Sequence, residues 1–308
     1  MPARLFMTSG DLVADRRYEF ARDLQLKGDL AAAADLLQQA IDLAPGLASA
    51  WFTLGEIRGK LGEHEAAIAA FQKARDADPQ DRHGASLWLM WLGAERLSVM
   101  PRAYVRALFD QYAPKFENAL VDDLGYRGPS LLFKAVLASR RAVRKPAFFR
   151  RAIDLGCGTG QAASAFASEV DHFIGIDLSP RMIEKARACA LYAELEVADM
   201  VEGLRGKPDS SADLILAADA MVYVADLVPV LQEVNRVLVA GGLVAFTVET
   251  HGGEGVIIGE GLRYAHGAPY VRAALKSAGL SLSQFEDLSA RNEDDSPLPG
   301  LVVVAAKP

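Results

Sequence analysis

Several features that mark particular classes of protein are missing from this 308-residue chain. It has two cysteines, Cys157 and Cys189, which make neither a disulfide framework nor a metal site and fit a reducing compartment. No apolar run approaches the ~20 residues that a membrane span needs. Residues 1–10 contain no apolar signal-peptide core, so we expect a cytoplasmic protein that has no membrane partner.

Basic residues are also in the minority, because 33 Lys and Arg stand against 40 Asp and Glu, for a net charge of −7. This balance argues against a general nucleic-acid binder. No His, Cys and Asp spacing is typical of a ligand set, so we expect no metal. The rest of the composition is that of a globular protein, and the length predicts about two domains of ~150 residues.

A repeat with a period of 34 residues organises the start of the chain, since Pro45 and Pro79 are separated by that distance. Ala33, Leu37 and Ala40 have equivalents 34 residues later, in a second copy that carries Trp51, Leu54, Gly55, Ala67, Phe71, Ala74 and Pro79. This pattern resembles the tetratricopeptide repeat and predicts a helical module over residues 1–99, with a capping helix over Arg82–Val99. The resemblance implies a concave surface for a protein or peptide partner. The alternative is a packing module that binds nothing.

Residues 100–149 are predicted to form a helical connector. Pro101 can open a helix, and Tyr104, Phe109 and Tyr112 follow at helical spacing, with Phe116 beyond them. Further helices are predicted over Glu117–Leu124 and from Pro129 to about Val143. The connector directly precedes the next domain, so we expect it to act as an active-site lid, in which Tyr112 contacts the ligand. The alternative is that its aromatic side chains only join two domains.

Strand and helix patterns alternate over residues 150–308, which predicts a parallel sheet with helices on both sides. The first strand ends at Leu155 and runs into a turn with Gly156, Gly158 and Gly160, followed by a helix. The last two predicted strands, Ser281–Leu288 and Leu301–Ala306, suggest an antiparallel edge pair. The expected fold class is thus α + α/β, a helical repeat module followed by a Rossmann-like, mostly parallel seven-stranded sheet with an antiparallel C-terminal edge pair.

Three successive strands of this sheet end in an acid: Asp177, Asp199 and Asp219. Ligands of open α/β sheets bind at the carboxyl ends of the strands. Asp177 lies about twenty residues beyond the first glycine, where a carboxylate can accept both hydroxyls of a ribose. Asp199 is placed to accept an adenine amino hydrogen. With the glycine turn, these acids predict one continuous cradle for an adenosine.

At these residues the domain resembles a class I S-adenosylmethionine-dependent methyltransferase. Residues 154–160, Asp-Leu-Gly-Cys-Gly-Thr-Gly, match the first motif of that family, and residues 175–182 match the second. Residues 198–200 and 238–247 match the adenine-binding and fifth-strand segments. The order of repeats, connector and this domain resembles a small group of predicted bacterial repeat-containing methyltransferases, which implies no settled substrate.

The resemblance implies S-adenosyl-L-methionine as cofactor and S-adenosyl-L-homocysteine as product. The glycine turn would face the methionine part, Asp154 would reach its amino group, and Asp177 would bind the ribose. Ala217, Ala218 and Asp219 would line the methyl-transfer side. The full set of expected cofactor-binding residues is Asp154, Gly156, Cys157, Gly158, Gly160, Asp177, Leu178, Met182, Asp199, Met200, Ala218 and Tyr112.

The function expected is methyl transfer to an unidentified small molecule or protein, with the repeats serving partner binding or docking. If a proton must be removed, the candidate catalytic residues are Asp219, Tyr223, His251 and His266, with Glu249 and Tyr264 at the same end of the sheet. Two alternatives stay open. One is a non-catalytic scaffold that only holds the cofactor. The other is an NAD-dependent oxidoreductase, which usually has Gly-x-Gly-x-x-Gly in place of this turn. The oligomeric state stays open as well.

Overall fold

The computed structural model describes residues 5–114, 116, 126–259, 261–293 and 296–308. The helix predicted over Glu117–Leu124 lies outside the described residues. The chain divides into two compact units: the first ends at Gln111, and the second begins at Tyr112. A short segment ending at Leu262 is grouped with the first unit.

The first part of the chain consists of successive helices joined by short turns: α1 (Leu12–Leu26), α2 (Leu30–Leu43), α3 (Ala48–Lys60), α4 (His64–Ala77), α5 (Ala85–Trp91) and α6 (Arg102–Tyr112). The carboxylates of Asp11 and Asp29 accept backbone hydrogen bonds at the starts of α1 and α2, which is why these helices begin there. Gly55 faces Phe71, and a Cβ at Gly55 would lie 2.7 Å from the Phe71 ring. The small residues of the repeat therefore let α3 and α4 approach closely, as the pattern predicts.

The predicted capping helix over Arg82–Val99 is much shorter in the structure, where α5 spans Ala85–Trp91. It starts late because Gly84, with φ +78°, is its N-cap and Asp81 accepts hydrogen bonds from the N–H groups of Ala85 and Ser86. It ends early because Gly93 adopts φ +73° and the Ala94 N–H donates to the Leu89 carbonyl. This is a glycine-based helix terminus that the aromatic pattern of the sequence concealed.

The second unit holds helices α7 (Gly128–Ala142), α8 (Gln161–Ala165), α9 (Pro180–Ala188), α10 (Met200–Arg205), α11 (Val228–Val237) and α12 (Ala268–Ser277). A short 3₁₀ helix spans Met221–Tyr223. The strands are β1 (Phe149–Leu155), β2 (Val170–Asp177), β3 (Tyr192–Val197), β4 (Ala212–Ala217), β5 (Leu238–Glu249), β6 (Val256–Ile258), β7 (Tyr264–His266), β8 (Ser281–Asp287), β9 (Asn292–Glu293), β10 (Ser296–Pro297) and β11 (Gly300–Ala306).

The main path of the sheet has the strand order β3-β2-β1-β4-β5-β11-β8. The first five strands pair in parallel, whereas β11 pairs antiparallel with both β5 and β8. The predicted fold class is therefore confirmed, including its antiparallel C-terminal pair. The short strands β6 and β7, which add to this sheet beside β5, and the β9–β10 hairpin were not predicted.

The central strands β1, β4, β5 and β11 are largely buried on both faces, as expected for strands covered by helices on both sides of a sheet. Ile153 and Leu155 of β1 belong to one apolar core and Ala152 belongs to the other. Successive side chains of β1 therefore point to opposite faces of the sheet. The glycine turn follows the carboxyl end of β1, and ligands of open α/β sheets bind at that end of the strands. None of the described helices combines the length and the apolar character that crossing a membrane requires.

Candidate cofactor and acceptor site

The loop after β1 is a tight glycine turn. Gly156 has φ +66°, and a Cβ there would lie 2.6 Å from the Cβ of Ala220, so both the backbone angle and the space require glycine. The N–H groups of Gly156 and Cys157 donate to the Ile176 carbonyl at 2.8 and 3.1 Å. The turn is therefore held against the end of β2 and beside the loop that follows β4.

The end of this turn contains an unsatisfied polar atom. The hydroxyl oxygen of Thr159 is buried and has no hydrogen-bond partner within the described part of the chain. At Gly160, with φ +96°, a Cβ would lie 2.9 Å from the Cys189 sulfur. Buried polar groups are normally paired, so an orphaned hydroxyl in a glycine turn fits a group that a bound ligand satisfies.

Asp177, the last residue of β2, is tied to the same turn. Its carboxylate accepts a hydrogen bond of 2.9 Å from the Gly158 N–H and one of 2.8 Å from the Ser179 N–H. The side chain is 8% exposed. These two bonds fix the carboxylate at the rim of the turn, which is where the sequence predicts the ribose-binding acid.

Asp154 is buried in β1 and accepts a hydrogen bond of 2.6 Å from the Tyr192 hydroxyl. Burial raises the pKa of Asp154 to about 7; the Tyr192 hydrogen bond opposes this rise and the charge of Asp177 adds to it. The carboxyl group therefore titrates near neutral pH. Tyr192, which orients it, was not singled out from the sequence, because a tyrosine at the start of a short strand carries no signal of its partner.

The residues predicted to bind adenine, Asp199 and Met200, follow β3 and lie near the glycine turn. The Met200 methyl carbon lies 3.6 Å from the position that a Cβ would take on Gly156. Asp199 is half-buried and caps α10 by accepting a hydrogen bond of 3.0 Å from the Val201 N–H. Leu178 is half-buried, whereas Met182 is fully buried in α9. The structure thus brings the turn, Asp177 and the residue-199–200 segment to one edge of the sheet.

Beyond β4, the half-buried Ala218 leads into Asp219, which has the left-handed backbone angle φ 55°. Its N–H donates to the Thr247 hydroxyl at 2.8 Å, and its carboxylate pairs with the Arg291 guanidinium at 3.0 Å. Burial raises the pKa of Asp219, and the positive charges of Arg291 and Arg263 oppose that rise. The predicted acceptor-side acid is therefore held in an ion pair.

Arg291 joins two acids in one cluster. Besides Asp219 it contacts the Glu249 carboxylate, which also pairs with Arg263 at 2.6 Å. Arg291 is 7% exposed, and its Nε atom has no hydrogen-bond partner among the residues that the structure describes. A cavity of about 10 Å³ lies against it, which is room for one water-sized group. We call Asp219, Glu249, Arg263 and Arg291 the charge cluster.

Three tyrosines interact electrostatically with the charge cluster. Tyr126 is half-buried, and desolvation of its hydroxyl raises its pKa well above the usual value, with the charges of Asp219 and Asp154 adding to the rise. Burial likewise raises the pKa of Tyr223 to about 12. Burial raises the pKa of Tyr112, and Arg263 and Arg291 oppose it. All three phenols therefore stay protonated at neutral pH and can donate hydrogen bonds. Tyr126 was missed by the sequence analysis, because it lies outside every motif.

Neither predicted histidine faces the charge cluster as a free base. His266 is fully buried, and its Nε2 donates a hydrogen bond of 2.9 Å to the Val224 carbonyl. Burial lowers the pKa of His266 to about 4, so the ring is neutral and holds the loop that carries Tyr223. His251 accepts a hydrogen bond from the Gly253 N–H and contacts the Gly255 carbonyl of its own loop. Their catalytic roles stay predictions.

Phe116 of the connector lies over the glycine turn. Its ring is 3.5 Å from the position that a Cβ would take on Gly158. The hydroxyl of Tyr112, four residues earlier, interacts electrostatically with Arg263 and Arg291, whose positive charges act to lower its pKa. Two of the predicted connector aromatics therefore lie near the site in the second unit. Phe116 lies at the glycine turn, and Tyr112 lies near the charge cluster.

No three His, Cys, Asp or Glu side chains of the described residues lie together in a way that could hold a metal ion.

Comparison with known families decides between the nucleotide-binding proteins that share this geometry. A family profile described as a methyltransferase domain matches residues 152–242, from β1 into β5, and one described as a tetratricopeptide repeat matches residues 24–87. The chain combines a class I methyltransferase domain with an N-terminal tetratricopeptide-repeat module. The resemblance inferred from the motifs is thereby confirmed.

Among curated relatives, the chain is similar to the 27-O-demethylrifamycin SV methyltransferase of Amycolatopsis mediterranei, with 28% identity over 45% of this chain and 57% of that protein. The chain spans about half the length of the curated relatives it matches. The matched part of the methyltransferase domain includes the glycine turn and Asp219 but stops before Glu249, Arg263 and Arg291.

Two solved structures share the fold. The 1,6-didemethyltoxoflavin-N1-methyltransferase of Burkholderia thailandensis covers 69% of this chain and 92% of its own length, with 15% identity and a TM-score of 0.52. The (4+2)-cyclase SpnF covers 69% of this chain and 97% of its own length, with 19% identity and a TM-score of 0.53. Proteins named for different reactions thus share this fold, so the fold alone does not decide the reaction.

Proposed function

We propose that the protein transfers a methyl group from S-adenosyl-L-methionine to an acceptor bound beside the charge cluster. The observation that carries this proposal is the joining of Asp177 to the glycine turn, through the hydrogen bond from the Gly158 N–H. The match of residues 152–242 to methyltransferase domains supports it, as does the structurally similar 1,6-didemethyltoxoflavin-N1-methyltransferase, whose structure contains S-adenosylhomocysteine.

The residues present fit this cofactor. A Cβ on Gly156 or Gly160 would clash with Ala220 or Cys189, and the Thr159 hydroxyl has no partner among the residues that the structure describes. Asp177 would hold the ribose, Asp154 the amino group, and Asp199 with Met200 the adenine edge. When bound, the cofactor supplies an electrophilic methyl group on a sulfonium sulfur.

The protein's main contribution is positioning. Methyl transfer is an in-line displacement with a good leaving group, and orientation alone contributes up to ~7–11 kcal/mol in favourable cases. Tyr126 and Tyr223 have protonated hydroxyls that can orient an acceptor, and Asp219 can accept a proton from it. We propose Asp219 before the two histidines, because both histidine rings are engaged by backbone groups.

We further propose that the connector acts as a lid, with Phe116 over the turn and Tyr112 beside the charge cluster. A lid excludes water and strengthens the electrostatic interactions inside the site. The repeats, in turn, are proposed to dock a protein or peptide partner. The acceptor is a small molecule or a protein. Two curated relatives are named for carbon and oxygen atoms of unrelated small molecules, whereas the proposed docking role of the repeats would suit a protein.

An assay with tritiated methyl groups on fractionated cell lysate tests the activity. The protein and tritium-labelled S-adenosylmethionine are added to each fraction, and label is counted separately in protein and in small molecules. We expect one fraction to gain label with the wild-type protein but not with Asp177→Ala.

A non-catalytic scaffold is the alternative, because the fold does not by itself require methyl transfer: SpnF, which shares it, is named as a cyclase. If the protein binds S-adenosylhomocysteine but no fraction ever gains label, the scaffold replaces the enzyme. Equal labelling by the wild type and by Asp177→Ala would instead contradict the assigned cofactor site.

A further inference from the structure

The repeat module has a face of buried polar side chains. Tyr18 lies on α1, Ser49 and Thr53 lie on α3, and His83 directly precedes Gly84, the N-cap of α5; all four are buried. The Ser49 hydroxyl is 3.1 Å from the His83 Nε2, and the Thr53 hydroxyl is 3.5 Å from the Tyr18 hydroxyl. These side chains join the first helices of successive repeats. We call the four residues the inner face.

Residues 5–9, which form neither helix nor strand, lie along the inner face. The Met7 N–H donates a hydrogen bond of 2.9 Å to the Ser49 hydroxyl, and the Phe6 ring stacks on the Tyr18 ring at 5.0 Å between centroids. Leu5, Met7 and Ser9 are half-buried, whereas Phe6 and Thr8 are more exposed. This alternation has the period of an extended strand seen by a surface on one side.

The segment is also fastened at its far end. The Asp15 carboxylate on α1 accepts a hydrogen bond of 2.9 Å from the Ser9 N–H, one of 2.7 Å from the Ser9 hydroxyl, and one from the Thr8 hydroxyl. These hydrogen bonds outweigh desolvation and lower the pKa of Asp15. The segment is therefore held by side chains of the module at both of its ends.

These contacts are those of an extended peptide on a binding surface. The main-chain N–H of Met7 donates to a side-chain oxygen of the module, and the Phe6 ring stacks on an aromatic ring of the module. The anchor is partial, because Phe6 remains 41% exposed and uses one ring face. Burial lowers the pKa of His83 to about 4, so the ring is neutral and offers no charge to an acidic peptide.

We propose that residues 5–9 are a resident ligand of the inner face. They occupy, within the same chain, the surface on which the repeat module takes an uncharged extended peptide with one aromatic side chain. Such a partner binds only when residues 5–9 leave. This proposal is independent of methyl transfer, because every residue in it belongs to the repeat module.

A labelled peptide tests the proposal. The probe is fluorescein-labelled Leu-Phe-Met-Thr-Ser-Gly, the sequence of residues 5–10, and binding is followed by fluorescence anisotropy. The full chain is compared with a variant that lacks residues 2–9, after circular dichroism has shown that both are folded. We expect the shortened chain to bind the peptide at least about tenfold more tightly, since the full chain supplies its own ligand at a high effective concentration.

Two substitutions make the result specific. Tyr18→Ala in the shortened chain should abolish binding, whereas Phe20→Ala, on the same helix but 65% exposed, should leave it unchanged. If the shortened chain fails to fold, the full chain with Phe6→Ala replaces it and should bind the peptide that the wild type rejects. The proposal is overturned if the folded variant does not bind the peptide, if the full chain binds it equally well, or if Tyr18→Ala has no effect.

Discussion

The two halves of the site in the second unit are built from contacts of very different range. Around the glycine turn, the Asp177 carboxylate contacts Gly158 and Ser179, at most 19 residues away in the sequence. In the charge cluster, Arg291 contacts Asp219 across 72 residues and Glu249 across 42. The first half is a property of two consecutive strands, β1 and β2, with the turn and helix between them, whereas the second half forms only when β4, β5 and the loop before β9 have come together.

The two halves also differ in how much of them lies within the part of the chain that matches the methyltransferase family profile. The glycine turn and its acids lie inside the part of the chain that matches methyltransferase domains, and three of the four residues of the charge cluster lie outside it. We infer that the turn serves the shared cofactor and that the charge cluster, with Tyr126 and Tyr223, serves the acceptor of this particular protein. The predictions below test the two halves separately.

Removing the charge of Arg291 should have the largest effect, and on folding rather than on the cofactor. Arg291→Gln leaves Asp219 and Glu249 partly buried without their shared partner, so we expect the free energy of unfolding to fall by about 3–5 kcal/mol. Urea denaturation measures this. Arg205→Gln, whose side chain is 66% exposed, is the matched control and should change the value by less than ~1 kcal/mol. Equal effects of the two substitutions would refute the buried cluster.

Changing Asp177 should break the other half. Asp177→Ala removes a buried carboxylate, so we expect the affinity for S-adenosylhomocysteine to fall well over ~10-fold. Titration calorimetry measures the dissociation constant, and Asp171→Ala, an exposed acid on the same strand, should leave it unchanged. An unchanged affinity of Asp177→Ala would remove the ribose assignment.

Asp154, beside the glycine turn, should make the free energy of unfolding of the protein depend on pH. Its pKa is raised from 3.8 to about 7 in the folded protein, so between these values the native state keeps a proton that the unfolded state has lost. The contribution of this group to the free energy of unfolding therefore falls as pH rises, by about 1.4 kcal/mol per unit in that window. Denaturation of the wild type and Asp154→Asn at pH 5, 6, 7 and 8 checks this. Parallel curves would contradict it.

The smallest expected effect belongs to the connector. Tyr112→Ala should weaken the binding of S-adenosylhomocysteine or of the acceptor several-fold without changing the free energy of unfolding. Phe148→Ala, which is 50% exposed, is the control. If Tyr112→Ala changed stability alone, the lid would have to be abandoned.

The range of the contacts also explains what could be read from the sequence. The two C-terminal strands β8 and β11, the glycine turn and the acids at the ends of β2 and β3 follow from local patterns, and the structure has them at or next to the predicted places. The strand order and the pairing of β11 between β5 and β8 complete the predicted fold. A glycine turn needs glycine at fixed positions, so it can be recognised from a few consecutive residues.

Other features could not be read in this way. Arg291 lies in a loop before β9, and nothing in its neighbourhood indicates that it pairs with two acids at the ends of β4 and β5. Tyr192 is important because it donates a hydrogen bond to Asp154, and Tyr126 because it interacts electrostatically with Asp219 and Asp154; only the folded sheet brings these groups together. The shortened α5 depends on two glycines with positive φ, whose conformations compete with the aromatic pattern around them.

Calorimetric titration of the wild-type protein with S-adenosylhomocysteine, and separately with NAD, tests the central claim most directly. Both ligands contain an adenosine, so the fold alone permits either. The account predicts one-to-one binding of S-adenosylhomocysteine, and no heat of binding from NAD. Binding of NAD without binding of S-adenosylhomocysteine would contradict it.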